Sequence, residues 1–283
     1  MLAERGMLVS LRITQLGLST KSQEVTTAAH QAYNITDNRA GYYRKFKIDR
    51  VDVKDISRIA NQARSYHRQM TVPWGHDMYR LLPSTLIPKY NQRIKSLKME
   101  FESNVSDLKV KWTSVIEAAK SRLGPAFKAN EYPDVSEVEK FYTFEMHRKP
   151  IPQDDHFILK VEQATLDEIK QDLIEEQDKN LKQISQNLWD RMYELVERMA
   201  ERLSDKDPKI FKTLVSNLED LVDILPDLNV ANDPKLTELC TDVKQKLIIF
   251  TPGQLKKDKK VRDKTAQEAR DIQNKMEVLM GKK

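Results

Sequence analysis

The chain has 283 residues, with 48 Lys and Arg against 43 Asp and Glu, a formal net charge of +5, and nearly a third of its side chains charged. That is enough chain for one large or two small domains with a real core, and its longest wholly apolar run, Leu247 to Phe250, is far short of the roughly 20 residues that cross a bilayer. Only seven Gly and a single Cys, Cys240, argue against a turn-rich β protein and an internal disulfide, and fit a reducing cytoplasm; no signal-peptide pattern opens the sequence.

The modest net charge hides a segregation along the chain. Residues 1–100 carry 17 Lys and Arg against 8 Asp and Glu, residues 101–250 carry 21 against 30, and residues 251–283 carry 10 against 5. Two basic ends flank an acidic middle, and a basic surface concentrates polyanions.

In chain order, Leu8 to Leu16 is the first predicted strand, with Val9, Leu11 and Ile13 alternating with polar neighbours. Gly41-Tyr42-Tyr43-Arg44-Lys45-Phe46-Lys47-Ile48-Asp49-Arg50 then sets three rings among four cations within ten residues. Such a segment reads in two ways. Either it is a strand with rings in a core and charges in water, or the rings stack on bases while the cations hold phosphates. A helix is predicted over Asp52 to Met70. Ile56, Ile59, Ala63 and Met70 form its buried stripe, and Lys54, Arg58 and Arg68 share an exposed row that no acidic residue at four-residue spacing neutralises after Asp55. Arg64 and Tyr66 lie near that row. In the following Thr71 to Pro83 connection, Trp74 reads as a plug beside a proline and Arg80, next to Tyr79, as the better contact candidate.

Two long amphipathic helices come next. Ile87, Tyr90, Ile94, Leu97, Phe101, Val105, Leu108, Trp112, Val115 and Ala119 form the first stripe. Leu166, Ile169, Leu173, Leu181, Ile184, Leu188, Met192, Leu195, Met199 and Leu203 form the second, interrupted at Gln177. Stripes of that length need a helical partner, so the sequence predicts an antiparallel pair within one subunit, extended into a homo-oligomer. Between them, residues 124–162 form a tip insertion: Gly124-Pro125 stops the first helix, Asp134 to Glu137 has capping-box spacing, and Phe141 to Arg148 and His156 to Val161 read as strands around a Pro150 to Asp155 turn. Shorter helices follow over Pro208 to Leu225 and Pro234 to Ile249, and the basic run Leu255 to Arg262 leads into a polar helix. The expected organisation is a basic N-terminal region (1–85), the long hairpin (86–204), a helical C-terminal subdomain (205–250) and a basic arm (251–283), mainly α with a small β element.

Catalytic chemistry finds little support. The five histidines lack the two-histidine helical spacing of zinc hydrolases, and no phosphate-cradling glycine loop, serine elbow or dinucleotide fingerprint is present. The Asp154-Asp155-His156 cluster reads as an acidic proline turn. The expectation is a non-enzymatic binding protein with no metal and no cofactor.

Gly41 to Lys47, Thr71-Val72-Pro73-Trp74 followed by Arg80-Leu81-Leu82-Pro83, and Tyr132-Pro133 ahead of a short helix and a Phe-rich strand together resemble a bacteriophage family, the single-stranded-DNA-binding RNA polymerase cofactors of N4-related phages. The resemblance covers roughly residues 7–160. It implies a helical, non-OB single-strand binder that helps a phage RNA polymerase use its promoters in the cytoplasm of the infected bacterial host.

The residues themselves then propose the contacts. Arg44, Lys45, Lys47, Arg50, Lys54, Arg58, Arg68 and Arg80 would meet phosphates, joined by Lys257, Lys259 and Lys260 of the C-terminal arm. Tyr42, Tyr43, Phe46 and Tyr66 would stack on bases. The competing reading is a coiled-coil scaffold that binds only proteins, its basic ends merely solvated.

Overall fold

In the computed structural model, which describes residues 2–37, 39–75, 78–152, 163–205 and 210–282, the chain is mainly helical with a small antiparallel sheet. In order, the elements are α1 (Leu2–Arg5), β1 (Gly6–Thr14), β2 (Ser19–Lys21), α2 (Gln23–Ala32), β3 (Arg44–Phe46), α3 (Lys54–Gln69), β4 (Val72–Pro73), β5 (Arg80–Pro83) and α4 (Ile87–Leu123). After three short 3-10 turns come β6 (Thr143–Lys149), α5 (Gln163–Ser204), α6 (Lys212–Leu228), α7 (Pro234–Lys246), α8 (Pro252–Lys257) and α9 (Lys259–Leu279). Four strands form one sheet in the order β4-β5-β1-β6, and β2 and β3 form a second. No helix among the described residues is long and apolar enough to cross a membrane.

The chain divides into two compact units, each assembled from separated segments. Unit one comprises Met1–Ser10, His67–Tyr90 and His147–Lys283, and unit two comprises Leu11–Tyr66 and Asn91–Met146.

In unit one, β1 pairs antiparallel with β5, Gly6 opposite Pro83 and Val9 opposite Arg80, and β4 pairs with the other edge of β5. Leu8, Val9, Leu81, Leu82 and Val72 are buried there; Leu8 and Val9, and Leu81 and Leu82, are neighbours that point to opposite faces, so this part of the sheet is covered on both sides. Gly6 has to be small, because a Cβ at that position would sit 2.5 Å from the Leu82 carbonyl oxygen. The seam of α5 is covered chiefly by α9 and next by α6. Ile184, Leu188, Met192, Met199 and Leu203 are buried as its periodicity predicts, and so are Trp189, Val196 and Ala200, because two neighbours widen the buried arc. Asp233 starts α7 by accepting from Lys235 N and Leu236 N, and also receives Trp189 Nε1 and Ser185 Oγ at 2.8 Å each. That one carboxylate ties α5 to α7.

In unit two, nine of the ten predicted stripe positions of α4, Tyr90 to Ala119, are buried, Tyr90 itself at the unit one end. Gly124, at φ +50°, terminates the helix in the left-handed region that glycine tolerates. Trp112 Nε1 donates to the Pro133 carbonyl at 2.8 Å, and the Phe101 and Phe144 rings meet at 5.7 Å, so the tip segment and β6 fold back onto α4. Ile56, Ile59, Ala60 and Ala63 supply the buried face of α3.

Several expectations change. Within unit one the seam of α5 is covered by α9 and α6, elements that the sequence pattern does not join to it. The region after Asp134 is a 3-10 turn over Val135–Phe141, and the Asp134 side chain makes no capping bond. Val72–Pro73 and Arg80–Pro83, read as connection, are strands. The polar C-terminal helix has a buried face of Thr265, Ala266, Ala269, Ile272 and Met276. The expected strand His156 to Val161, the Asp154-Asp155-His156 cluster and the Pro208 helix start lie outside the described residues.

Candidate nucleic-acid interface

The segment that the sequence singles out lies in unit two, built around the β2–β3 pair, with Ser19 opposite Phe46, Thr20 opposite Lys45 and Lys21 opposite Arg44. Successive strand residues point to opposite faces. In β3 the alternation is the reverse of an ordinary half-buried strand: Lys45 points inward at 1% exposure, while Arg44 is exposed and Phe46 is 44% exposed.

The inward lysine is held by the residues that follow α4. Lys45 Nζ donates to the Ala126 carbonyl at 2.7 Å and pairs with Glu131 Oε2 at 2.9 Å. Neighbouring contacts lock the same strand: Arg122 donates to the Phe46 and Lys47 carbonyls at 2.8 and 3.2 Å, Tyr132 Oη donates to the Lys47 carbonyl at 3.1 Å, and Lys47 Nζ donates to the Glu131 carbonyl at 3.1 Å. With its inner side filled by charge-assisted bonds, β3 has no place inside for rings. Tyr42 is therefore 56% exposed and Tyr43 44% exposed.

Within β3, alternation puts Arg44 and Phe46 on one side, with Lys21 across from Arg44. Lys21 Nζ sits 4.0 Å from the Tyr42 ring centroid, and the Arg50 guanidinium lies 5.6 Å from that of Phe46, so cations and rings are already interleaved.

A helix that sequence reasoning missed completes the site. α2 is tied to the aromatic loop by Tyr43 N donating to Thr26 Oγ1 at 2.9 Å, Ser22 N to the Tyr43 carbonyl at 3.1 Å and His30 Nε2 to the Gly41 carbonyl at 3.0 Å. Between α2 and the loop runs an open groove of about 710 Å³, lined among others by Lys21, Thr26, His30, Asn34 and Tyr42, with no carboxylate among the described residues of its lining. Tyr33, at the end of α2, is 79% exposed and adds another ring. The available signal was Ser22 ahead of Gln-Glu-Val-Thr-Thr-Ala-Ala, a helix start without a strong apolar stripe.

The remaining predicted contacts divide. Arg50 is exposed in unit two, and so are Lys54 and Arg58 on α3, Arg58 pairing with Asp55 at 3.2 Å. Tyr66 is half-buried, and burial raises its phenol pKa. Arg64 is turned to structure, donating to the Ile13 carbonyl at 2.9 Å. Lys45 and half-buried Lys47 spend their ammonium groups inside, which corrects their reading as phosphate contacts. Arg68, Arg80, Lys257, Lys259 and Lys260 belong to unit one. The three lysines are exposed where α8 ends and α9 begins, in packed helices rather than a loose arm; Asp258 caps α9 by accepting from Lys260 N and Val261 N. Arg80 is half-buried and donates to Thr71. Among the described residues no group of His, Cys, Asp and Glu is placed to hold a metal ion, and Cys240 is buried, its thiol pushed up to about 11 by burial.

Compared with protein families, with known proteins and with solved structures, the chain matches none.

Proposed function

We propose that the chain is a sequence-tolerant single-stranded DNA-binding protein whose contact surface is the β2–β3 face and α2 groove of unit two. The observation that carries this reading is the reversed alternation of β3, Lys45 inside and Phe46 outside, with Tyr42 and Tyr43 exposed in the loop just before it. Burying Lys45 costs desolvation that the Glu131 pair only offsets. Leaving Tyr42, Tyr43 and Phe46 in water forfeits apolar burial of about 1.5 to 3 kcal/mol for a large side chain. Stability explains neither choice. A stacking surface explains both, since each base stacked on an aromatic ring contributes roughly 1–3 kcal/mol with little sequence preference.

In this reading Tyr42, Tyr43 and Phe46 stack on bases, while Lys21, Arg44 and Arg50 meet phosphates. Paired bases hide their faces, so single strands are preferred. A two-stranded sheet on a helical scaffold does this without the barrel of an OB-fold binder. The resemblance to N4-related phage cofactors supplies the partner, a phage RNA polymerase. We assign that contact to the first half of α5, where half-buried Leu166, Ile169 and Leu173 run among Asp167, Glu168, Asp172, Glu175 and Glu176, a surface whose sign repels nucleic acid.

Fluorescence anisotropy with a labelled single strand, competed by duplex DNA and by RNA of equal length at several salt concentrations, tests the proposal. The expected result is a log-log salt slope near −0.7 per phosphate contacted, with duplex a poor competitor. Equal competition by duplex, or no salt-dependent binding, would overturn it.

A further inference from the structure

Arg80 of β5 and Arg191 of α5, both within unit one, close on the same oxygen. Arg80 donates through Nη2 to the Thr71 carbonyl at 3.0 Å and through Nε to Thr71 Oγ1 at 2.7 Å, and Arg191 Nη2 donates to that carbonyl at 2.8 Å. Both side chains are half-buried. Their acceptors are one neutral carbonyl and one hydroxyl, and among the described residues neither has a carboxylate within ion-pair distance. Buried charges are ordinarily paired or bound to something of opposite sign.

The neighbouring titrations describe the same field. Burial and then Arg80 hold the Arg191 guanidinium down at about 10, still charged at neutral pH. Arg80 is lowered by burial and then by Arg68. His67, buried with Nδ1 2.7 Å from Tyr90 Oη, is pushed to about 4 by burial first and by Arg80 and Arg68 after it. Positive potential accumulates here: among the described residues, the charges that shift these three groups are those of Arg68 and Arg80, and none is a carboxylate.

We infer that Arg80 and Arg191 form a binding site for a phosphate group in unit one. A guanidinium has five N–H donors in a flat fork suited to phosphate. Arg80 has spent two of its nitrogens and Arg191 one, which leaves Nη1 of each to a ligand. Two free Nη1 groups and two positive charges match a tetrahedral dianion, whereas a carboxylate would answer only one of the charges. The shared carbonyl holds the two guanidinium groups together, so the site is organised before the anion arrives.

The full chain would be melted in chloride, acetate, inorganic phosphate and a short oligonucleotide at matched ionic strength. Phosphate should raise the melting temperature by several degrees in a saturable way, as mass action on a folded-state site requires, and acetate should not. Arg191→Lys and Arg80→Lys each keep one charge and one bond to Thr71 but lose the fork, and should weaken the apparent phosphate affinity at least tenfold. In a chain with Tyr42, Tyr43 and Phe46 replaced by alanine, where strand binding at the rings is removed, saturation by the oligonucleotide at far lower concentration than by inorganic phosphate identifies a strand phosphate as the source, and the opposite order a free phosphate. If wild type responds to phosphate no more than to chloride, or both variants respond as wild type does, the pair is only a cap on Thr71 and the inference fails. The wild-type anion series needs no variant to fold, and the rings of unit two play no part in it.

Discussion

The two units treat an inward-turned cation in opposite ways. Unit two answers Lys45 with the Glu131 carboxylate and the Ala126 carbonyl, and so makes it structure. Unit one turns Arg80 and Arg191 onto a single carbonyl and gives them no carboxylate among the described residues. A neutralised cation frees the opposite face of its strand for other work, here exposed rings. An unneutralised pair is itself the surface waiting for a charge.

The largest expected effect tests what the neutralised cation makes possible. Replacing Tyr42, Tyr43 and Phe46 together with alanine should lower single-strand affinity by at least about a hundredfold, at roughly 1–3 kcal/mol per stacked base, with the melting temperature nearly unchanged because the rings are exposed. Unchanged affinity in the folded variant would remove stacking from the account.

Lys45→Ala should act the other way round. It strands Glu131 without its partner and should destabilise by about 3 kcal/mol, the lower end for a broken buried pair, measured by urea unfolding. Arg44→Ala, one residue away and exposed, should leave stability within about 0.5 kcal/mol and weaken binding instead. If both substitutions hit stability equally, the reversed alternation carries no functional meaning.

The field in unit one can be read from pH. His67 stays neutral in the folded state down to about 4, whereas an unfolded histidine takes its proton near 6.5. Its contribution is therefore complete above pH 6.5 and is lost as pH falls through the window to about 4, amounting to about 3 kcal/mol in all. His67→Asn should flatten that part of the stability profile, and identical profiles would show that His67 does not carry it.

Arg58→Ala should do least. Its pair with Asp55 is exposed, so stability should move by less than about 0.5 kcal/mol. A clear loss of single-strand affinity would extend the interface from β3 onto α3.

What the sequence made legible follows from how far each signal reaches. The stripe of α4 was readable because ten apolar positions in one helix overdetermine a single face. The cover of α5 was not, because the buried side of α9 is made largely of Ala266, Ala269 and Thr265, small residues that permit close packing but carry little apolar signal. The rings and cations of residues 42–50 were visible as composition, but which alternation faced inward depended on Glu131, 86 residues from Lys45 in the chain, and no local pattern contains that choice. Arg191 was never a candidate, since it sits within an acidic helix and acquires its meaning only when β5 brings Arg80 to the same carbonyl.

The covering of α5 by α9 also orders events during synthesis. Met192, Met199 and Leu203 leave the ribosome more than fifty residues ahead of Lys259, so a nascent chain carries a partly open apolar helix until α9 arrives to complete its cover. Translation that stops early would release molecules ready to clump, and a helper that shields exposed apolar surface would be needed at that stage more than at any other.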